Sequence, residues 1–137
     1  MALAKLDHVN IRTANLAAMG AFYQEVLGLT AGERPAFGFP GAWLYCGATA
    51  VVHLVEVAEQ PDPQGALRLE HFAFSGAGLG EFLALLRRRG AGYEIGVVPG
   101  LGIIQVNVHD PDGNHIHIDF DPAEAASVTD EPVLAAV

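Results

Sequence analysis

The sequence is poor in several of the residues that common functions require. It has one cysteine, Cys46, in 137 residues, which excludes an intramolecular disulfide framework. A lone cysteine between apolar neighbours is expected to be a small buried residue, not a nucleophile. Cations are also scarce, with 7 Lys and Arg against 16 Asp and Glu and a formal net charge of -9. So negative a surface repels phosphate backbones and anionic headgroups, which argues against nucleic-acid and membrane partners. No apolar run approaches the roughly 18 residues that a spanning helix needs. The start, Met1-Ala2-Leu3-Ala4-Lys5, has no signal-peptide layout, and no GxGxxG or Walker pattern follows a strand. These absences lead to the expectation of a soluble, cytoplasmic protein.

Hydrophobic residues are plentiful at 51% of the chain, enough for a packed core. Alternation predicts a strand over Leu6–Arg12, with Leu6, His8 and Asn10 on one face. Helical spacing of Leu16, Met19, Phe22, Tyr23 and Val26 predicts a helix over 16–26, with Asn15 as N-cap and Gly28 just past its end. Short strands are expected over 29–34, 42–46 and 51–57. The stretch Glu59-Gln60-Pro61-Asp62-Pro63-Gln64-Gly65 opens a polar linker over 59–68. The pattern then restarts, with a strand over 69–74, a helix over 79–89 stopped by Gly90, and strands over 93–98, 103–109 and 115–120. The last strand follows the turn Asp110-Pro111-Asp112-Gly113, and residues 121–137 are expected to form a loose acidic tail. The expected fold is α+β. It has two tandem βαβββ modules, 1–58 and 69–120, forming a cup-shaped mixed sheet.

The two halves also repeat in residues. Leu6-Asp7-His8-Val9 lines up with Leu69-Glu70-His71-Phe72 at an offset of 63 residues, and Val52-His53-Leu54 with Ile116-His117-Ile118 at 64. Repeats of this length mark tandem supersecondary units packed on each other. Each half therefore carries one histidine in its first strand and one in its last. Should the halves pair about a pseudo-twofold axis, four imidazoles would meet, and imidazole is the commonest protein ligand for divalent transition metals. His109, just before a turn, reads as an ordinary polar residue.

Leu6-Asp7-His8-Val9, Phe22-Tyr23 with Val26-Leu27-Gly28-Leu29, Leu69-Glu70-His71-Phe72-Ala73-Phe74 and Asp110-Pro111-Asp112-Gly113-Asn114 together resemble the signatures of the vicinal oxygen chelate superfamily. This is the group of glyoxalases, bleomycin-resistance proteins and extradiol dioxygenases. The resemblance covers about Leu6 to Phe120 and implies a divalent metal, zinc, nickel, iron or manganese, inside the cup. It carries the metal positions onto His8, His53, His71 and His117. Two of these positions, those of His53 and His117, are usually glutamate in the group. Asp119, on the face of His115 and His117, offers a carboxylate alternative about 7 Å further along the strand.

A metal with open adjacent positions accepts a substrate through two neighbouring oxygens and stabilises an oxyanion as it forms. The expected activity is therefore a glyoxalase-like lyase or isomerase acting on a small molecule. A non-haem dioxygenase and a metal-free binding or resistance protein are the alternatives. An unligated His53 or His117 is expected to carry the proton. Phe37, Phe39, Trp43 and Tyr45, with the loop over 35–41, are expected to line a substrate pocket, and Arg12 to hold a substrate carboxylate. With four neutral ligands, metal binding should be lost below about pH 6. Edge strands and apolar aromatics imply a homodimer.

Overall fold

The computed structural model describes residues 1–2, 4–61 and 69–135. The chain divides into two compact units, Met1–Gly65 and Ala66–Val137. Residues 62–68 of the expected linker lie outside the described residues.

The first unit is a βαβββ module: β1 (Val9–Thr13), α1 (Leu16–Glu25), β2 (Thr30–Gly32), β3 (Gly41–Cys46) and β4 (Thr49–Glu56). Its strands run in the order β1-β4-β3-β2, with β1 parallel to β4 and the remaining pairs antiparallel. Parallel pairing of the first and last strands requires the crossover that α1 provides. The helix packs on β3 and β4. Its Met19 and Tyr23 are fully buried, as are Leu44, Val52 and Leu54 of the sheet, so one face of the sheet is the core. The other face carries Asn10, Arg12, His53 and Trp43 in register.

Gly28 adopts φ 72, which turns the chain so that the Leu29 N–H reaches the Tyr23 carbonyl at 2.9 Å. Asn15 stands at the N-cap, but its side chain makes no cap bond. Its Nδ2 instead reaches Gln60 Oε1 at 3.5 Å, and the same oxygen accepts from the Ala14 N–H at 2.8 Å. Cys46 is exposed, not buried, because it ends β3 beside the hairpin turn that contains Gly47.

The second unit repeats the pattern with β5 (His71–Ser75), α2 (Leu79–Arg89), β6 (Glu94–Val97), β7 (Ile104–His109) and β8 (His115–Phe120). A 3-10 helix (Pro122–Val128) and a further strand, β9 (Val133–Ala135), follow. The sheet order is β5-β8-β7-β6-β9, with β5 parallel to β8. Leu79, Leu83 and Leu86 recur at helical spacing and are fully buried. Ile104, Val106, Ile116 and Phe120 are also buried, leaving alternate residues of the same strands on the opposite face.

The loose tail expected from Asp121 onward is a structured element. Asp121 caps the 3-10 helix by accepting from the Ala123 N–H at 2.8 Å. Glu124 Oε2 accepts from the Gly78 and Leu79 N–H groups at 3.1 and 2.7 Å, capping α2, whose own N-cap residue is glycine. Glu131 pairs with Arg87 at 2.6 Å and accepts from the Tyr93 hydroxyl at 3.2 Å. The chain then adds β9 alongside β6, so β6 is not the edge of its sheet.

Candidate functional site

In the first unit β1 begins at Val9, so His8 stands immediately before the strand. His8 Nδ1 is 2.8 Å from Asp7 Oδ2, and this hydrogen bond holds the Asp7 carboxyl below the ordinary aspartate value. The His8 ring stacks on His53 at a centroid distance of 4.0 Å and 13°. Trp43 lies across from His53 in the β3–β4 register and stacks on it at 4.1 Å and 9°. His53 Nε2 is 3.0 Å from the Ala50 carbonyl oxygen. Burial, and then the proximity of His8, push the His53 pKa below the ordinary imidazole value.

In the second unit the parallel register sets His71 beside His115 and Ala73 beside His117. The His71 and His117 rings are 4.4 Å apart. His117 is 7% exposed, and its Nδ1 lies 2.7 Å from Asp119 Oδ1, which also accepts from Gln105 Nε2 at 3.3 Å. His71 Nδ1 is hydrogen-bonded to Glu70 Oε2, and His115 Nδ1 lies 2.9 Å from Glu70 Oε1. These two contacts, His71 foremost, hold the Glu70 carboxyl below the usual glutamate value.

Glu70, His71 and His115 thus bring one donor atom each within 4.8 Å of the others. The trio is compact because the Glu70 carboxylate bridges two imidazoles. His115 spends its second nitrogen as well, with Nε2 2.9 Å from Asn107 Oδ1. Of the two histidines in the trio, only His71 keeps a ring nitrogen unengaged among the described residues. His109 stacks on His115 at 5.2 Å.

One relation is shared by His8, His53, His71 and His117. Each has one ring nitrogen hydrogen-bonded to a carboxylate or a backbone carbonyl, and the other has no hydrogen bond among the described residues. Histidines that ligate metals have this arrangement, because the outer hydrogen bond fixes the tautomer and the ring orientation. Imidazole nitrogens suit a borderline divalent ion, although the stacked His8 and His53 rings, 13° from parallel, do not direct their in-plane lone pairs at a common point.

The expected pocket residues separate into different roles. Phe37 and Phe39 are 44% and 45% exposed and stack on each other at 5.2 Å, with the Arg34 guanidinium 4.8 and 5.1 Å from their ring centres. Phe37 is 6.2 Å from Trp43. Tyr45 donates its hydroxyl to the Glu33 carbonyl at 2.5 Å and packs over Gly32, where a Cβ would lie 2.6 Å from its ring. Tyr45 therefore closes the β2–β3 hairpin. Arg12 is exposed on the His53 face and has no hydrogen bond or ion pair among the described residues.

The sequence reading did not assign Asp7 and Glu70 as partners of the histidines that follow them. The signal was present, since an acid precedes the first-strand histidine in each repeat. No helix among the described residues is long and apolar enough to cross a membrane.

Two βαβββ units, with His8 and His53 in the first matched by His71 and His117 in the second, define an α+β protein built from a tandem repeat. The chain belongs to the Glyoxalase/Bleomycin resistance protein/Dioxygenase superfamily, whose family model matches residues 5–118. Among solved structures it is similar to a glyoxalase family protein from Bacillus anthracis, at 23% identity and TM-score 0.72, covering 88% of this chain and 98% of that one. It is also similar to lactoylglutathione lyase from Agrobacterium tumefaciens, at 20% identity and TM-score 0.66, covering 88% and 96%. A glyoxalase family protein from Enterococcus faecalis matches at 26% identity and TM-score 0.66, covering 84% and 96%. No curated protein matches the chain.

Proposed function

We propose that this protein is a metal-dependent lyase or isomerase of the glyoxalase type, acting on a small substrate with two neighbouring oxygens. His8, His53, His71 and His117 are its proposed metal ligands. The observation that carries the reading is the shared hydrogen-bonding pattern, one nitrogen tied and the other without a hydrogen bond among the described residues at each of the four. A metal-free binding module needs no such set. When bound, a divalent ion supplies Lewis acidity to a chelating substrate.

The side chains divide the remaining work. His53 has no hydrogen-bonded carboxylate among the described residues and its pKa is depressed, first by burial, which favours the neutral ring that a ligand role needs. His117 is backed by Asp119 at 2.7 Å, so with its Nε2 unligated a proton taken there gives an imidazolium that the carboxylate stabilises. His117 is therefore the better proton carrier of the two. Arg12, on the His53 face and without a partner among the described residues, is the group for a substrate carboxylate. Phe37 and Phe39 supply exposed apolar surface for the substrate's non-polar part. Cytoplasmic residence and a homodimer belong to the same proposal, and light scattering at micromolar concentration checks the second.

The test is elemental analysis of protein purified without added metal or an affinity tag, for the wild type and for His8→Ala and His71→Ala. One equivalent of metal in the wild type and none in either variant is expected. Equal metal content in all three overturns the ligand assignment. Iron as isolated, with oxygen consumption, replaces the lyase reading with a dioxygenase.

A further inference from the structure

We propose that Glu70, His71 and His115 form a divalent-metal site that is complete within the second unit. It is a different site from the ligand set proposed above, with which it shares only His71. It takes a borderline transition ion such as zinc, through the Glu70 carboxylate and the Nδ1 atoms of the two histidines.

The hydrogen bonds of His115 carry the inference. Asn107 donates its Nδ2 to the Glu94 and Gln105 carbonyls at 3.3 and 3.4 Å, which turns its Oδ1 toward His115 Nε2 at 2.9 Å. That oxygen only accepts, so His115 Nε2 carries a proton. The lone pair of the neutral ring then resides on Nδ1, yet Nδ1 faces Glu70 Oε1 at 2.9 Å. A lone pair and a carboxylate oxygen at that distance need a cation between them, a proton or a metal ion. With the metal ion, Asn107 is the outer partner that fixes the tautomer of a ligating histidine.

The carboxylate gathers both rings, since its other oxygen, Oε2, is hydrogen-bonded to His71 Nδ1. One donor atom from each of the three residues lies within 4.8 Å of the others. The two imidazole planes stand at 61°, so their in-plane Nδ1 lone pairs converge on the carboxylate instead of running side by side. His109 stacks on His115 at 19° and is excluded as a further ligand for the same reason. The Glu70 and His71 side chains are 71% and 42% exposed, so water completes the shell and the site empties during purification. Two imidazoles and one carboxylate favour zinc, copper or nickel over magnesium. A neutral imidazole has one lone pair, so His71 serves this ion through Nδ1 or the other set through Nε2, never both at once.

Isothermal titration of zinc into metal-free His8→Ala protein reads this site, because that variant lacks a member of the other set. One equivalent at micromolar affinity is expected, with no binding of magnesium. Adding Glu70→Gln or His115→Gln should abolish the binding, and adding Asn107→Leu should weaken it roughly 10–100-fold. Zinc affinity unchanged by Glu70→Gln overturns the proposal, as does magnesium binding as tight as zinc. Affinity unchanged by Asn107→Leu overturns the assignment of the His115 lone pair to Nδ1. Glu70 is exposed, so Glu70→Gln decides the matter even where His115→Gln does not fold. Should the wild type hold no metal as purified while added zinc binds and is lost in Glu70→Gln, the other ligand set fails and this site stands. Should metal be retained by the wild type and lost in His8→Ala, with no zinc then titrating into that variant, this site fails and the other set stands.

Discussion

His117 Nδ1 and Asp119 Oδ1 are 2.7 Å apart on one face of β8, so the proton of the neutral imidazole sits on Nδ1 and the Nε2 lone pair is free. This places Asp119 behind His117 and not in competition with it for a metal. Asp119→Ala should weaken divalent metal binding by roughly 10–100-fold without abolishing it, the usual cost of losing such a partner. Isothermal titration with zinc measures this. Complete loss of binding would instead make Asp119 a ligand, and unchanged affinity would remove it from the site.

Acid should destabilise the metal-free protein through His53. Its folded pKa lies below the unfolded value because burial disfavours the charged ring, so the unfolded chain binds more protons. The stability this contributes is present above the unfolded imidazole value of about 6.5 and is lost as pH falls from there through the lower folded value. Thermal midpoints between about pH 7 and pH 5 should fall less steeply in His53→Asn than in the wild type. Equal slopes would exclude His53 as the source.

Glu124 should be a stabilising cap for α2. Its carboxylate satisfies two N–H groups at the helix start that no side chain of the N-cap residue can reach, since that residue is Gly78. Glu124→Ala should cost about 1 kcal/mol, typical for a lost cap, and lower the melting temperature by roughly 4 °C. Glu124→Gln keeps an acceptor and should recover part of the loss. Calorimetry of the two variants checks the order.

Gly41 and Gly38 occupy the same loop-to-strand region and should respond differently to alanine. A Cβ at Gly41 would lie 2.3 Å from the Leu54 carbonyl oxygen and 2.9 Å from Arg34 Nη2, so β3 would have to shift from β4. Overpacking of this kind costs about 1–3 kcal/mol. At Gly38 nothing lies within 4 Å, and Gly38→Ala should stay within about 0.5 kcal/mol of the wild type. Denaturant midpoints of the pair test the contrast.

Where periodicity is strong the elements were readable: the helix over 79–89 and the strand over 115–120 match residue for residue. The first strand was read three residues early, because its pairing with β4 begins only at Val9 opposite Val52. The tail was misread for a physical reason. It is held by Glu124 and Glu131, residues that composition assigns to solvent, and by backbone pairing of β9 with β6, which leaves no side-chain signature. The four histidines were visible as an offset repeat, and their acidic neighbours Asp7 and Glu70 stand beside two of them in sequence. The Trp43–His53 stack and the Glu70–His115 bond follow from strand register, which the sequence alone leaves open.

Replacing His117 with glutamate should retain the proposed metal site and move its acid limit. A carboxylate ionises near pH 4, whereas imidazole is neutral only above about pH 6.5, so glutamate remains a competent ligand at lower pH. It also brings a negative charge that offsets part of the cation's charge and weakens it as a Lewis acid. Asp119 limits the effect, however. It lies 2.7 Å from the His117 ring, so a glutamate there would sit beside a second carboxylate, and like charges raise each other's pKa in the empty site. His117→Glu alone should therefore shift the midpoint of zinc occupancy to lower pH by less than the His117→Glu, Asp119→Asn pair, which removes the repulsion. Occupancy against pH for the wild type and both variants measures the series. A midpoint that moves in neither variant excludes His117 as a ligand. Equal shifts in both would show that Asp119 does not face the residue at position 117.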